Sequence, residues 1–377
     1  MPQRSRTESS DYHYSLDERK IKMTVPKTFK AAVLPEPGAQ HVVSPRSLAP
    51  LEKDAVAVKI TATAINPVDW KMRDYKLFIT DFPAVLGSDA AGEIAAVGSE
   101  VSGFAVGDRV FFQGIIGNFD ASTFQQYCKI PAKLVAKTPK NISDEEASGI
   151  SVATVAVLTA FYDGTGYGLA PPWEKGGDQV GKDKAIVIIG GSSSVGQYAI
   201  QLARLSGFSK IVTNSSPTHF EHLKSLGAHT VLDRSESGPE DFASAIGNLP
   251  LAFVFDAISI ESTQILGVRT IQLTKTENTH VFGVLFSSSE KVQELCQQEP
   301  KTSFKSILGV GSKAELRYLS EPLMANLGGE EGYIARGLFR PNRTVVVPGG
   351  LGAIEAALAK NKNGVSGEKV IIRPFEE

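Results

Sequence analysis

Cysteine is almost missing from this chain: 377 residues carry only two, Cys128 and Cys296. That scarcity excludes a disulfide scaffold, a cysteine-rich zinc site and a Cys-X-X-Cys redox pair, and free thiols suit a reducing compartment. An excess of one charge is also missing. With 39 basic and 41 acidic residues the net charge is −2, so no global field draws the chain to nucleic acid or to anionic lipid. No apolar run reaches the ~20 residues of a membrane span. The opening residues, MPQRSRTESSDYHYSLDERKIK, lack the apolar core of a secretory signal. A cytoplasmic location is therefore expected, and residues 1–22 read as a flexible N-terminal extension. Hydrophobic content of 42% and charged content of 21% rule out global disorder.

The length suggests two domains, since domains run ~100–200 residues. In the first half Val56, Val58 and Ile60 alternate with small or polar residues, the period of a half-buried strand. Residues 92–97 and Arg109-Val-Phe-Phe112 add strand-like runs punctuated by glycine turns, as in a barrel or sandwich. Near residue 150 the pattern changes. Ala185-Ile-Val-Ile-Ile189 is a continuous apolar run, expected of a strand buried on both faces of a parallel sheet. Val195, Ala199 and Leu202 then recur at helical spacing, and Phe220, Leu223 and Leu226 mark a second helix closed by Gly227. Strand and helix alternate onward to His280–Leu285, predicting a doubly wound α/β layer. Residues 287–331 show weak periodicity and read as a variable excursion.

The turn after the first α/β strand is Gly190-Gly191-Ser192-Ser193-Ser194-Val195-Gly196. A helix starting there aims backbone N–H groups and its positive dipole end at a pyrophosphate. Gly190 allows the tight turn and Gly196 close packing of helix on sheet. The strand before and the amphipathic helix after make this a nucleotide site rather than a bare glycine-serine loop. A site selective for NAD carries Asp or Glu at the end of the second strand. Here the strand ends Thr213-Asn214-Ser215-Ser216, with no carboxylate before Glu221. Ser215, Ser216, His219 and Arg234 are the candidate partners of a 2′-phosphate, which favours NADPH.

With these pieces assembled, the chain resembles the zinc-free branch of the medium-chain dehydrogenase/reductase superfamily, most of all the quinone oxidoreductases and the fungal trans-acting enoyl reductases. The segments that carry the resemblance are 64–73 (AINPVDWKMR), 83–92 (PAVLGSDAAG), Gly107-Asp-Arg-Val110, Thr159-Ala160 and 365–370 (VSGEKV), in family order. The resemblance implies a GroES-like catalytic domain over residues 23–155, completed by 332–377, with a Rossmann domain over 156–331 between. It places Val68, Asp69 and Lys71 against the nicotinamide ribose, Asp69 also holding its loop and Trp70 filling the cleft wall. Lys71, as an ammonium able to orient the cofactor or stabilise the enolate, and Tyr75, as a proton donor, are the catalytic candidates of this segment. Thr159 stands near the nicotinamide end, as a ligand or as a helix-interior threonine bonding its own backbone. Gly283, Val284 and Leu285 end a strand at the ligand edge of the sheet, and Gly367 with Lys369 reaches the cofactor.

The zinc members carry a Cys and a Gly-His-Glu where this chain has Asn66-Pro-Val-Asp69 and Gly87-Ser-Asp89, so no catalytic zinc is expected. Without a Lewis acid, alcohol oxidation loses its electrophile. NADPH then suits hydride delivery to the C=C bond of an α,β-unsaturated carbonyl compound. The substrate stays open between a carrier-bound enoyl thioester, which would bring a synthase partner, and a quinone or small enal. A non-catalytic NADPH-binding protein is the alternative of another class. A monomer is expected over a dimer, with 287–331 covering the sheet edge.

Overall fold

The computed structural model describes residues 25–274, 276, 279–284 and 287–377. The N-terminal extension and Leu285 lie outside the described residues.

The first half and the end of the chain share one seven-stranded sheet. Its central strand, Ala55–Ala64, pairs antiparallel with Asp89–Val97, Tyr127–Pro131 and Glu368–Ile372. The last pairing sets Ile371 beside Ala64 and Ile372 beside Thr63, so the C-terminus returns to the β domain. Ala55–Ala64 is buried along almost its whole length, not on alternate residues as its sequence suggests. Val56, Val58 and Ile60 fill a core with Ile94, Val110 and Phe112. The small Ala55 and Ala57 leave room on the other face for cover, and the helix Asp144–Ser148 packs against the strand.

The second half forms a six-stranded parallel sheet. In spatial order its strands are Thr230–Asp233, Lys210–Ser215, Ala185–Ile189, Leu251–Asp256, His280–Gly283 and Ser303–Ser306. The chain runs from Ala185–Ile189 outward to one edge, then crosses back to Leu251–Asp256. Between those two strands lies the switch point where ligands bind in such sheets. All five residues of Ala185–Ile189 are buried, as a strand covered on both faces requires.

Residues 287–331 are more regular than their composition suggests. They supply the helix Glu290–Gln297, the outer strand Ser303–Ser306 and the helix Arg317–Leu327. The strand pairs in parallel with His280–Gly283 and takes the edge of the sheet. The helix Ser151–Tyr162 is buried at ten of its positions and joins the two halves of the fold. Among the described residues no helix is long and apolar enough to cross a membrane.

Candidate active site

The glycines of the 190–196 turn are there for want of space. Gly190 has φ +81°, and a Cβ there would stand 2.4 Å from Ile258 Cγ1. A Cβ on Gly191 would fall 2.2 Å from Thr213 Oγ1, and one on Gly196 2.2 Å from the Gly190 carbonyl oxygen. Asn214, at the end of the second strand, accepts the Gly190 N–H through Oδ1 at 2.8 Å and pins the turn. Ser193 caps the following helix, its Oγ accepting the Gly196 N–H at 3.0 Å. Ser192, Ser193, Ser194 and Val195 line a cleft of about 390 Å³ between the two halves.

The second strand ends on Ser215, whose buried Oγ has no partner among the described residues. Ser216 turns the chain through its backbone alone, its carbonyl accepting the His219 N–H at 3.0 Å. His219 Nε2 meets Ser366 Oγ at 2.7 Å, and its ring packs where a Cβ of Gly367 would stand, 2.7 Å from Cε1. Two segments read separately in the sequence are thus brought together across the cleft. Arg234 bonds Ser215 only through its backbone N–H, and its side chain is exposed.

The glycine cradle, the capped helix start and the orphaned Ser215 hydroxyl fit a dinucleotide phosphate chain and ribose. Gly190, Gly191, Gly196, Ser215 and the 192–195 backbone would hold it.

The floor of the cleft is a buried ionic cluster. Asp69, in the first turn of the helix Pro67–Tyr75, accepts the Asn66 N–H through Oδ2 at 2.7 Å and the Ser88 hydroxyl through Oδ1 at 3.0 Å. Asp89 accepts the Val152 N–H at 3.1 Å and Asn66 Nδ2 at 3.3 Å. Lys369 Nζ donates to Asn66 Oδ1 at 2.5 Å and lies 3.7 Å from Asp89 Oδ2. Both carboxylates are fully buried and the lysine is 3% exposed. Burial pushes Asp69 up to about 7 and Asp89 up to about 6, against the pull of Lys369 and the hydrogen bonds. Burial likewise draws Lys369 down, with the two carboxylates opposing. The stem of Lys369 passes over Gly149, where a Cβ would stand 2.7 Å from Lys369 Cγ. The sequence expectation gave Lys369 to the cofactor. The structure sets its ammonium against Asn66 and Asp89 at the cleft floor, and keeps Asp69 below the lining.

Lys71 and Val68 line the cleft. The Lys71 ammonium stands 5.3 Å from the centre of the Trp70 ring, and partial burial lowers its pKa. Among the described residues no carboxylate forms an ion pair with it. Trp70 is fixed by its own indole N–H, which donates to Asn361 Oδ1 at 3.2 Å. Tyr75 is 62% exposed, packs its edge on Trp70 and is not part of the cleft lining. It stands at the helix end, one residue before the left-handed Lys76, and turns to solvent. Thr159 is 4% exposed and its hydroxyl donates to the Val155 carbonyl at 2.9 Å, the back-bonded helix threonine. Gly283 closes its strand, with the side chains of Phe304 and Ser259 where a Cβ would be, and Val284 beyond it lines the cleft.

Leu77, Phe78, Ile116, Leu308 and Val310 make the remaining wall apolar. Gln113 holds the 309–311 loop in place, donating to the Gly309 carbonyl at 2.9 Å and accepting the Gly311 N–H at 2.8 Å. Sequence reading missed Asn66, Ser88 and Asp89 as one cluster, although it had set the segments 66–69 and 87–89 side by side. It also missed Asn214 and the 307–310 wall. No periodicity marks that loop.

A nucleotide cradle, an ionic floor and an apolar wall between two such domains define a dehydrogenase/reductase cleft. The family model for the alcohol dehydrogenase GroES-like domain matches residues 52–140. The trans-enoyl reductase tndF of Aspergillus flavipes is 30% identical over 91% of this chain and 98% of its own length. The trans-enoyl reductase tazE of Aspergillus terreus is 38% identical over 55% of this chain and 69% of its own. The NADPH complex of Escherichia coli quinone oxidoreductase superposes with a TM-score of 0.68, covering 92% of this chain and all of that one at 18% identity. The chain belongs to the medium-chain dehydrogenase/reductase superfamily and is an oxidoreductase of that superfamily.

Proposed function

We propose that the protein reduces the C=C bond of an α,β-unsaturated carbonyl compound with NADPH, and that its substrate is an enoyl thioester. One observation carries the reading. The cleft sets a glycine-built dinucleotide cradle and the half-buried Lys71 ammonium against a wall of Leu77, Phe78, Ile116, Leu308 and Val310. An apolar acyl chain fits that wall, and a cation beside it suits an oxygen that gains charge. The names of the trans-enoyl reductase relatives support the same reaction.

The preference for NADPH rests on the second strand. It ends in Ser215 and Ser216 without a carboxylate of its own to hold a 2′-hydroxyl as an acid would. When bound, the cofactor supplies hydride. The chain's own residues do the rest. Lys71 orients the nicotinamide ribose and lends positive charge to the substrate oxygen. The apolar wall excludes water from the reacting carbons. An enoyl thioester of this kind would be delivered by a carrier of a synthase, to a monomeric reductase in the cytoplasm.

Incubation of the protein with NADPH and a panel of enoyl thioesters, enones and quinones tests the reading. Fastest consumption with enoyl thioesters is expected. Turnover confined to quinones or small enals would move the substrate to that class. Binding of NADPH without turnover would leave a non-catalytic nucleotide-binding protein.

A further inference from the structure

Two carboxylates and one ammonium sit buried together at the floor of the cleft. With every group ionised the cluster carries one uncompensated negative charge on buried side chains, which is costly. With one proton added it is neutral. Asp69 and Asp89 are the two groups that can carry that proton, each shifted by burial toward neutral pH. Asn66 bridges the cluster, bonding Lys369 through Oδ1, Asp89 through Nδ2 and Asp69 through its backbone N–H. Of these ionisable groups only Lys369 also lines the cleft.

We propose that this cluster is the proton source of the reduction, with Lys369 the acid that protonates the carbon next to the carbonyl and a buried aspartic acid refilling it. The inference rests on the C=C reduction proposed above. Once hydride has bonded to the far alkene carbon, the alkene electron pair resides on the enolate. A Lys369 N–H bond breaks, its proton forms the new C–H bond, and the ammonium becomes an amine. The carboxyl proton of Asp89 or Asp69 then passes to that amine, leaving a carboxylate, and water reloads the cluster between turnovers. Lys71 is unsuited to this task because no acid stands beside it to refill it; a cation beside the oxygen is its fitting part.

The charged and titratable groups facing the store come from four elements. Lys369 lies on the strand Glu368–Ile372, Asp69 on the helix Pro67–Tyr75 and Asp89 on the strand Asp89–Val97. Tyr198, on the helix Ser194–Leu205, feels the charge of Asp89 and of Glu146, and burial raises its pKa so that it stays a phenol. A raised carboxyl is loaded below its pKa and empty above it. The store is therefore full in mildly acidic medium and empties as pH rises through about 7, the value for Asp69.

The test reads the stereochemistry of protonation. An α-methyl enoyl thioester is reduced with NADPH by the wild type, by Lys369→Met and by Asp69→Asn, with the pH dependence of kcat measured for each. Asn at position 69 can still accept the Asn66 N–H and bond Ser88, so it keeps the loop. The wild type is expected to give one epimer at the α-carbon and a kcat that falls as pH rises through about 7. Lys369→Met is expected to lose at least tenfold in kcat and to give mixed epimers, because bulk water then protonates either face. Asp69→Asn is expected to keep one epimer and to move the inflection down from about 7 toward about 6, the value for Asp89. If Lys369→Met does not fold, the pH profile of Asp69→Asn decides alone. One epimer in the methionine variant, or an unchanged inflection in the asparagine variant, overturns the proton store and leaves the reduction standing. A wild type that reduces no unsaturated carbonyl compound overturns both.

Discussion

Lys71 and Lys369 line the same cleft in opposite surroundings. Lys71 has a ring beside it and no ion pair among the described residues, whereas Lys369 is held by Asn66 and Asp89. If Lys71 acts on the cofactor, Lys71→Ala should weaken NADPH binding and leave reduction slow but measurable. A lost charge-assisted contact is worth ~1.5–3 kcal/mol, roughly ten- to a hundredfold in affinity. Fluorescence titration and turnover together check this. Unchanged affinity with collapsed turnover would instead make Lys71 the acid. At the adenosine end, Ser216→Asp should reverse the preference for NADPH over NADH by restoring the missing carboxylate. Competitive titration would show it, and an unaltered preference would remove Ser216 from the site. Gly196 was legible because its reason is local: the helix start leaves no room for a Cβ against the Gly190 carbonyl. The surroundings of Lys369 and Thr159 were not legible. A side chain's burial depends on strands and helices distant in sequence, so a family position could not tell a cofactor ligand from a buried ion, or a cleft hydroxyl from a back-bonded one.

Among the elements, the turn and the helix Ser194–Leu205 act as one unit. A Cβ on Gly196 would lie 2.2 Å from the Gly190 carbonyl, a contact between backbones that no rotamer relieves. Gly196→Ala should therefore destabilise the fold by ~1–3 kcal/mol, the usual cost of overpacking, and lower affinity for NADPH as well. Urea denaturation with a cofactor titration measures both; wild-type stability would mean the helix can shift freely. The continuous apolar run and the helical spacing made the parallel strands and their helices readable. Ser303–Ser306 escaped because it is short, polar and paired on one side only, so neither a continuous nor an alternating apolar pattern marks it. Ala55–Ala64 misled in the other direction. Its alternation is real, but alanines on the second face are small enough to be covered.

For the whole molecule, the buried acids set a pH dependence of stability. Asp69 and Asp89 are raised from 3.8 to about 7 and about 6, so between about pH 4 and 7 these two groups bind more protons in the native chain than in the unfolded one. Their contribution to stability should then fall as pH rises across that window. Denaturation of the wild type and of Asp69→Asn at pH 5 and pH 8 checks the sign: the wild type should lose more stability between the two than the variant, and an equal loss would contradict the raised Asp69 carboxyl. The return of the C-terminus to the β domain was legible only through the family resemblance. Pairing of Ile371 with Ala64 joins chain ends that no periodicity connects. The two halves matter together, because the cradle comes from one and Lys71, Lys369 and most of the apolar wall from the other.

The central claim is that this cleft brings a nicotinamide cofactor and an unsaturated carbonyl substrate together without a metal. The most direct measurement is oxidation of NADPH by the purified, chelator-treated protein with an enoyl thioester, followed to the saturated product. The account predicts turnover that survives chelation and at least tenfold preference for NADPH over NADH, about 1.4 kcal/mol. No product from any enoyl thioester, enone or quinone while NADPH binds, or activity lost with a stoichiometric zinc ion, would contradict it.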